Sequence, residues 1–229
     1  MTLPEQGNVK RHENGRIKAV IFDLDGTLYD STSLARRIAA GEALRFSLLK
    51  LAAERSARHE IAGKHFGSAD ALYDALFSRM ASRLPLCGKE KLRRWYFNGY
   101  LPRMVGVLGR HFRAREDTES VIRELRDAGV KVAVFSDYGA VREKLAAIGL
   151  SDRLFDLVAD APSLGGLKPC RESFETVAGT LGVPAADCLV VGDREDTDGG
   201  GAAAAGMRFA RIDKGSRSLR NALPQLTKE

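Results

Sequence analysis

An alternation of strand-like and helix-like segments constrains the fold of this chain more than any other feature. Two segments, IKAVIF at 17–22 and VKVAVF at 130–135, are apolar, β-branched and bounded by turn residues, a pattern typical of buried strands. CLVV at 188–191 is shorter and ends at a glycine, while FDLVA at 155–159 and MRFARI at 207–212 match the pattern more weakly. The chain is therefore predicted to form a sheet from these five strands.

Amphipathic segments that end in a glycine lie before or between these strands. TESVIRELRDAG ends at Gly129, AVREKLAAIG at Gly149 and RESFETVAGTLG at Gly182, and a glycine at that place is a common helix stop. The alternation indicates an α/β fold with a mostly parallel, Rossmann-like sheet and helices on both faces. A further helix is predicted in GGGAAAA at 199–205, where three glycines lower helix propensity and indicate either close packing or local looseness.

One interval breaks the alternation. More than 100 residues separate the first predicted strand from the second, whereas a strand–helix–strand crossover needs roughly 30. Apolar residues at helical spacing predict that 31–115 is an inserted helical domain. The core would then comprise 17–30 and 116–229, and the polar residues 1–16 are expected to form a flexible N-terminal tail.

Charge is distributed unevenly along the 229 residues. The insertion holds 17 Lys and Arg against 6 Asp and Glu, a net charge of +11, so the rest carries −5 of the total of +6. The basic insertion is interpreted as a solvated surface or as a means of attracting an anionic substrate to the site. Nucleic-acid binding is the least favoured interpretation, because aromatic residues are not interleaved with the basic runs.

The composition also bears on location. The chain has no apolar run of about 18 residues that could span a membrane, and its N-terminus lacks the apolar segment of a secretory signal. Cys87, Cys170 and Cys188 show no metal-like spacing, which favours free thiols in a reducing cytoplasm. We therefore expect a cytoplasmic protein without a membrane partner.

Polar residues gather where predicted strands end. Sites in open parallel sheets form at the carboxyl ends of strands, so these residues are expected to converge. They are Asp23, Asp25 and Thr27 after the first strand, Ser136 and Asp137 after the second, Lys168 in the loop after the strand at 155–159, and Asp193 and Asp198 after the strand at 188–191. Each is a weak signal alone, but together they supply acids, a hydroxyl and a cation.

Four segments that carry these residues resemble the four motifs of the haloacid dehalogenase superfamily, and they follow one another in the same order as those motifs. The segments are FDLDGT, the strand that ends in Ser136, the Lys168-Pro169 pair and GDREDTD, and the resemblance covers 17–30 and about 117–213. The insertion lies where that superfamily has a helical cap of the first type. The resemblance implies a Mg²⁺-dependent phosphomonoester hydrolase that acts on a small phosphorylated metabolite.

The resemblance also implies roles for three acids. Asp23 would be the nucleophile that forms an aspartyl-phosphate. It would bind Mg²⁺ together with Asp193 and the backbone carbonyl of Asp25. Asp25 would protonate the leaving oxygen and then activate the water that attacks the aspartyl-phosphate.

The remaining residues would hold the phosphate or orient other groups. Lys168 and the Ser136 hydroxyl would hold phosphate oxygens, with Thr27 and Asp137 as further substrate-binding residues. Asp198 would orient Lys168 or a water on the metal. Asp137 departs from the family pattern, because a neutral residue often follows the Ser or Thr of this motif.

Other functions are compatible with this scaffold. A dehalogenase that attacks carbon needs neither an acid nor a metal, so Asp25 and the Asp193/Asp198 pair argue against it. A phosphotransferase such as a sugar-phosphate mutase differs from a hydrolase in its acceptor, because a sugar hydroxyl rather than water accepts the phosphoryl group. A catalytically silent regulatory protein would be expected to lack the nucleophile. The oligomeric state is expected to be a monomer or a homodimer.

Overall fold

A computed structural model describes residues 16–40, 45–213 and 215–223. The tail predicted at 1–16 lies outside the described residues except for Arg16. None of the described helices is both long enough and apolar enough to cross a membrane. All three cysteines are buried and free, in agreement with the expectation of free thiols.

The described residues form a five-stranded parallel sheet with the order β3-β2-β1-β4-β5. In chain order the strands are β1 (Ala19–Phe22), β2 (Lys131–Ser136), β3 (Leu157–Asp160), β4 (Cys188–Gly192) and β5 (Arg208–Arg211). Strand β1 is central, and its last residue, Phe22, is opposite Val134 of β2 and Val191 of β4. The predicted parallel α/β sheet is confirmed, and each strand lies close to its predicted bounds.

Nine α-helices are assigned within the described ranges. They are α1 (Leu34–Ala40), α2 (Arg45–Ile61), α3 (Ala69–Arg83), α4 (Lys89–Trp95), α5 (Leu101–His111), α6 (Thr118–Asp127), α7 (Val141–Ala147), α8 (Arg171–Leu181) and α9 (Gly200–Ala204). Short π-helical segments precede two of them, Tyr96–Tyr100 before α5 and Glu195–Gly199 before α9.

The sheet is covered by helices on both faces, as predicted. Successive residues of a strand point to opposite sides, and a parallel sheet buries both. Phe22 of β1 therefore packs in one apolar cluster with residues of α6 and α7. Its neighbour Ile21 packs in a second cluster with residues of α8 and α9.

Five helices, α1 to α5, lie between β1 and α6. The segment after α2 is hydrogen-bonded to the loop that follows β3. Gly63 N–H donates to the Leu167 carbonyl at 3.1 Å, and Phe66 N–H donates to the Gly165 carbonyl at 2.7 Å. The segment after α2 is thus attached directly to the loop that carries Lys168. The limits of the core and of a separate inserted domain stay predictions.

Close packing accounts for a glycine at the start of α9. A Cβ built on Gly201 would lie 2.0 Å from Cε2 of Phe174 on α8, and Phe174 is fully buried. Only a residue without a side chain allows the two helices to approach so closely. Of the two explanations open for the glycine-rich stretch, the structure thus supports close packing at Gly201.

Candidate active site

The strand order brings the ends of β1, β2 and β4 side by side. Asp23 follows the central strand, Ser136 ends β2, and Asp193 follows β4. The Asp23 N–H donates to the Val191 carbonyl at 2.8 Å, which continues the β1–β4 pairing beyond the strand. The side chains of Asp23, Ser136 and Asp193 are all buried. Three of the four predicted motifs therefore meet at one edge of the sheet.

Lys168 contributes the fourth motif and contacts two of the predicted acids. Its Nζ lies 2.8 Å from Oδ1 of Asp23 and 2.8 Å from Oδ1 of Asp198, and the side chain is buried. The other oxygen of Asp23, Oδ2, accepts a 2.9 Å hydrogen bond from Oγ1 of Thr27. An ammonium group and a hydroxyl group therefore orient the two oxygens of the Asp23 carboxylate.

Three buried carboxylates are close enough to share one metal ion. Asp23, Asp193 and Asp198 each offer an oxygen, and these oxygens lie within 4.8 Å of one another. Carboxylate oxygens are ligands that Mg²⁺ takes in proteins, so this donor set fits the predicted ion. Gly26 leaves room for Asp193, because a Cβ on Gly26 would lie 2.4 Å from Asp193 Oδ2. Asp198, predicted to orient other groups, therefore lies where it could also contact such an ion.

The charges of this cluster also favour a cation. Burial raises the pKa of Asp23 to about 7; Lys168 opposes this shift, while the Asp198 and Asp25 carboxylates add to it. Burial likewise raises the pKa of Asp198. Burial disfavours the charged form of Lys168, but the Asp198 and Asp23 carboxylates outweigh it and raise the pKa of the ammonium group. One lysine does not neutralise three carboxylates, and a divalent cation would restore the balance.

Asp25 has a different set of partners. The Tyr29 hydroxyl donates to Oδ1 at 2.5 Å and the Ser136 hydroxyl donates to Oδ2 at 3.2 Å. The Lys144 ammonium group also donates to Oδ2. Burial favours the neutral acid, but Lys144 and the two hydroxyl donors hold the pKa of the Asp25 carboxyl below its usual range. The two acids of the FDLDGT segment are therefore each paired with a lysine of their own.

Lys144 is a site residue that the sequence analysis missed. It lies on α7 with a fully buried side chain, and its Nζ is also 3.3 Å from Ser136 Oγ. A lysine in an amphipathic helix is ordinarily read as solvent-exposed. A signal was nevertheless present, because Lys144 lies three residues after Val141 and four before Ile148, which places it on the apolar face of the helix.

Both carboxylate oxygens of Asp137 have protein partners. Oδ1 accepts a 2.9 Å hydrogen bond from the backbone N–H of Lys168, and Oδ2 lies 3.4 Å from Nη2 of Arg58 on α2. Arg58 also donates to the Asp137 backbone carbonyl. Asp137 therefore links α2 to the loop that carries Lys168. A contact between Asp137 and substrate stays a prediction.

Arg115 is a second residue that the sequence analysis did not identify. Its guanidinium group donates to the backbone carbonyls of Thr27 at 2.7 Å and Gly26 at 2.9 Å. Gly26 has a φ of +107°, a conformation that side chains with a Cβ rarely adopt. Arg115 thus stabilises the turn that follows Asp25. A lone arginine 88 residues from Thr27 gave no pattern by which it could have been found.

Two relatives with curated names are similar in sequence. The glyceraldehyde 3-phosphate phosphatase of Methanopyrus kandleri is 31% identical over 206 residues, which are 87% of this chain and 85% of that protein. The protein SUPPRESSOR OF QUENCHING 1, chloroplastic, of Arabidopsis thaliana is 29% identical over 182 residues. These are 78% of this chain but only 16% of the Arabidopsis protein, so the match is to one part of a much longer chain.

Structure and family comparisons agree with this similarity. The crystal structure of β-phosphoglucomutase from Clostridium difficile superposes with a TM-score of 0.61 at 20% identity, and the match covers 91% of this chain and 88% of that one. This likeness shows the fold. The family model for "haloacid dehalogenase-like hydrolase" matches residues 17–206. This chain therefore belongs to the haloacid dehalogenase-like hydrolases.

Proposed function

We propose that this protein is a Mg²⁺-dependent phosphomonoester hydrolase that acts on a small phosphorylated metabolite through an aspartyl-phosphate intermediate. The observation that carries the proposal is the buried Asp23 carboxylate, which contacts Lys168 and belongs to the candidate metal cluster. A phosphate ester repels a carboxylate nucleophile, so the site must supply positive charge as well as an attacking oxygen. Bound Mg²⁺, held by Asp23, Asp193 and either Asp198 or the Asp25 carbonyl, would neutralise charge on the phosphate.

In the first step, an oxygen of Asp23 attacks phosphorus while the bond from phosphorus to the leaving oxygen breaks. A proton passes from the Asp25 carboxyl to the leaving oxygen, so that an alcohol departs and Asp25 becomes a carboxylate. The Lys168 ammonium and the Ser136 hydroxyl would hold oxygens of the transferred group. Thr27 would keep the Asp23 carboxylate oriented through its hydrogen bond to Oδ2.

In the second step, water attacks the phosphorus of the aspartyl-phosphate and gives a proton to the Asp25 carboxylate. The bond between phosphorus and Asp23 breaks, and inorganic phosphate is released. Asp25 is then protonated again for the next cycle. The three donors on Asp25 in the structure stabilise its carboxylate form, which is the form that this second step requires.

Three alternatives are less well supported. Attack on carbon with halide departure has no use for a proton donor or a metal, so it leaves Asp25 and the three clustered carboxylates unexplained. A phosphotransferase would use the same groups with a hydroxyl acceptor, and the fold similarity to β-phosphoglucomutase does not distinguish it. A regulatory protein without activity has no need of an oriented Asp23 carboxylate paired with Lys168.

The helices between β1 and α6 are proposed to act as a cap over the site. Contacts of Arg58 with Asp137, and of the segment after α2 with the Lys168 loop, support this proposal. A cap favours small substrates, and the name of the Methanopyrus kandleri relative, glyceraldehyde 3-phosphate phosphatase, specifies a small phosphorylated molecule. The cytoplasmic location and the monomeric or homodimeric state stay predictions.

The test is Asp23→Asn, assayed against a panel of phosphorylated metabolites with Mg²⁺. Asparagine keeps the shape but is a poor nucleophile, so hydrolysis should fall to a few per cent of wild type or less. The matched control is Asp196→Asn in the same GDREDTD segment, because Asp196 pairs with Arg194 at the surface. EDTA should abolish wild-type activity, and added Mg²⁺ should restore it.

Each alternative predicts a different result. Full activity in EDTA would favour the dehalogenase. Phosphoryl transfer to a sugar hydroxyl, without release of inorganic phosphate, would favour the mutase. No turnover of any phosphomonoester, together with Mg²⁺ binding that Asp23→Asn leaves unchanged, would favour the regulatory protein.

A further inference from the structure

Lys144 is a charged residue at a buried position where the stability of the fold requires only an apolar side chain. Its side chain is 0% exposed, and its helix neighbours Val141, Leu145 and Ile148 are buried in the apolar cluster on that face of the sheet. A buried ammonium ion is unfavourable unless it is paired, and an apolar residue of similar volume is often at least as stabilising as a buried ion pair. The position therefore suggests a functional reason for the lysine.

The contacts of Lys144 indicate what that reason is. Its Nζ donates to Oδ2 of Asp25 and lies 3.3 Å from the Ser136 hydroxyl, which itself donates to the same Asp25 oxygen at 3.2 Å. Lys144 thus joins the carboxylate that follows β1 to the hydroxyl that ends β2. The aromatic ring of Tyr138 lies beside the ammonium group, with its centroid 5.7 Å from Nζ.

These contacts hold the Asp25 carboxylate in one place. Tyr29 binds Oδ1, while Lys144 and Ser136 bind Oδ2. An acid–base group acts only within hydrogen-bond reach of the proton that it transfers, and small displacements lower the rate strongly. Arg115 binds the Gly26 carbonyl beside Asp25, and Lys144 binds the Asp25 side chain, so that both the neighbouring backbone and the carboxylate have partners.

We propose that Lys144 is a positioning residue that holds the Asp25 carboxylate against the phosphate-binding hydroxyl of Ser136, where it exchanges protons with the leaving oxygen and the attacking water. This inference rests on the proposed phosphatase activity. Lys144 acts through Asp25 and is not itself proposed to touch the substrate. Its loss should therefore resemble the loss of Asp25 rather than the loss of Lys168, which contacts the nucleophile Asp23.

The experiment compares Lys144→Met with wild type in single turnovers, with Mg²⁺ and enzyme in excess over substrate. Two substrates are used, p-nitrophenyl phosphate and an alkyl phosphate. The p-nitrophenolate group leaves without a proton, whereas an alkoxide needs one. Acid catalysis is worth about 10²–10⁴-fold, so Lys144→Met should slow the alkyl ester by at least about tenfold more than the nitrophenyl ester. The dependence of rate on leaving group should approach that of Asp25→Asn.

Three further variants separate positioning from loss of stability. Leu145→Ala removes a fully buried neighbour on the same helix, and it should slow both substrates equally or neither. Lys144→Arg keeps the charge and should recover part of the alkyl ester rate. In the double variant Lys144→Met/Asp25→Asn, the rate losses should be smaller than the product of the single losses, because both act on one proton transfer.

A measurement without substrate tests the pairing itself. Removing the ammonium group leaves the Asp25 charge buried and unpaired, so Lys144→Met should lower the urea midpoint of unfolding, and adding Asp25→Asn should raise it again. Equal slowing of both esters by Lys144→Met, or multiplicative losses in the double variant, would overturn the inference while leaving the phosphatase in place. A wild-type protein that hydrolyses neither ester nor any phosphorylated metabolite would overturn the proposed function and this inference with it.

Discussion

Glu54 on α2 is a buried carboxylate with incomplete compensation. It is 2% exposed, and within the described part of the chain its Oε1 has no hydrogen-bond partner. The same oxygen lies 3.7 Å from Nε of Arg58, which forms an ion pair with it. Burial raises the pKa of Glu54 from 4.5 to about 7, with Arg58 opposing the shift and Asp137 adding to it. Glu54→Gln should therefore change how stability depends on pH.

The direction and size of the effect follow from linkage between proton binding and folding. The carboxyl group of Glu54 binds its proton more tightly in the folded protein than in the unfolded chain. The resulting stabilisation is fully present below the unfolded pKa of 4.5 and is lost as pH rises through about 7. At 1.36 kcal/mol for each pKa unit, the total effect amounts to about 3 kcal/mol, most of which falls between pH 5 and pH 8. Glutamine does not titrate and loses this dependence.

The assay is urea unfolding, followed by circular dichroism at pH 5 and pH 8. The unfolding free energy of wild type minus that of Glu54→Gln should fall by about 2–3 kcal/mol from pH 5 to pH 8. Other titrating groups, including Asp23, are present in both proteins and cancel in the difference. Glu60→Gln is the matched control, because Glu60 lies on the same helix but its side chain is 44% exposed. The reasoning is refuted if the difference is the same at both pH values.

Two more predictions test packing and charge. Gly201→Ala should destabilise the fold by about 2 kcal/mol through overpacking against Phe174. Gly179→Ala on α8 should not, because no atom beyond its chain neighbours and its own helix backbone lies within 4 Å of the new Cβ. A fully stable Gly201→Ala would contradict the packing argument. Charge reversal at Arg93 and Arg94 should flatten the fall of kcat/KM with added salt while kcat stays nearly constant, because screening weakens the attraction of an anionic substrate. An unchanged salt dependence would mean that these arginines do not attract the substrate and are only part of the solvated surface.

Local sequence patterns were enough to predict the class of the fold and to select the residues of the candidate site. The strands can be predicted from local composition, because apolar β-branched runs between turn residues suit a sheet buried on both faces. A parallel arrangement places the residues after β1, β2 and β4 at the same edge of the sheet, and the observed strand order makes these three strands neighbours. The sequence predicts that Asp23, Ser136 and Asp193 gather at one edge of the sheet, and the structure brings them together there.

Contacts between side chains far apart in the chain depend on three-dimensional packing and could not be predicted from local patterns. Lys144 lies 119 residues from Asp25, and Arg58 lies 79 residues from Asp137. Lys144 falls on the apolar face of its helix, but nothing in the sequence near Lys144 or Arg58 indicates which group either side chain contacts. Whether such a side chain points to solvent or into the protein depends on whether a distant segment, packed beside its helix, places a carboxylate within its reach.

For the same reason, the sequence indicated that Asp137 and Asp198 belong to the site but not which groups they contact. The sequence shows two acids near strand ends, where either could serve substrate, metal or protein. In the fold, Asp137 is bound by Arg58 and the Lys168 backbone, and Asp198 is one of the three clustered carboxylates that could hold a metal ion. A carboxylate accepts whichever donor lies within about 3 Å, and only the three-dimensional packing of the helices and loops sets those distances.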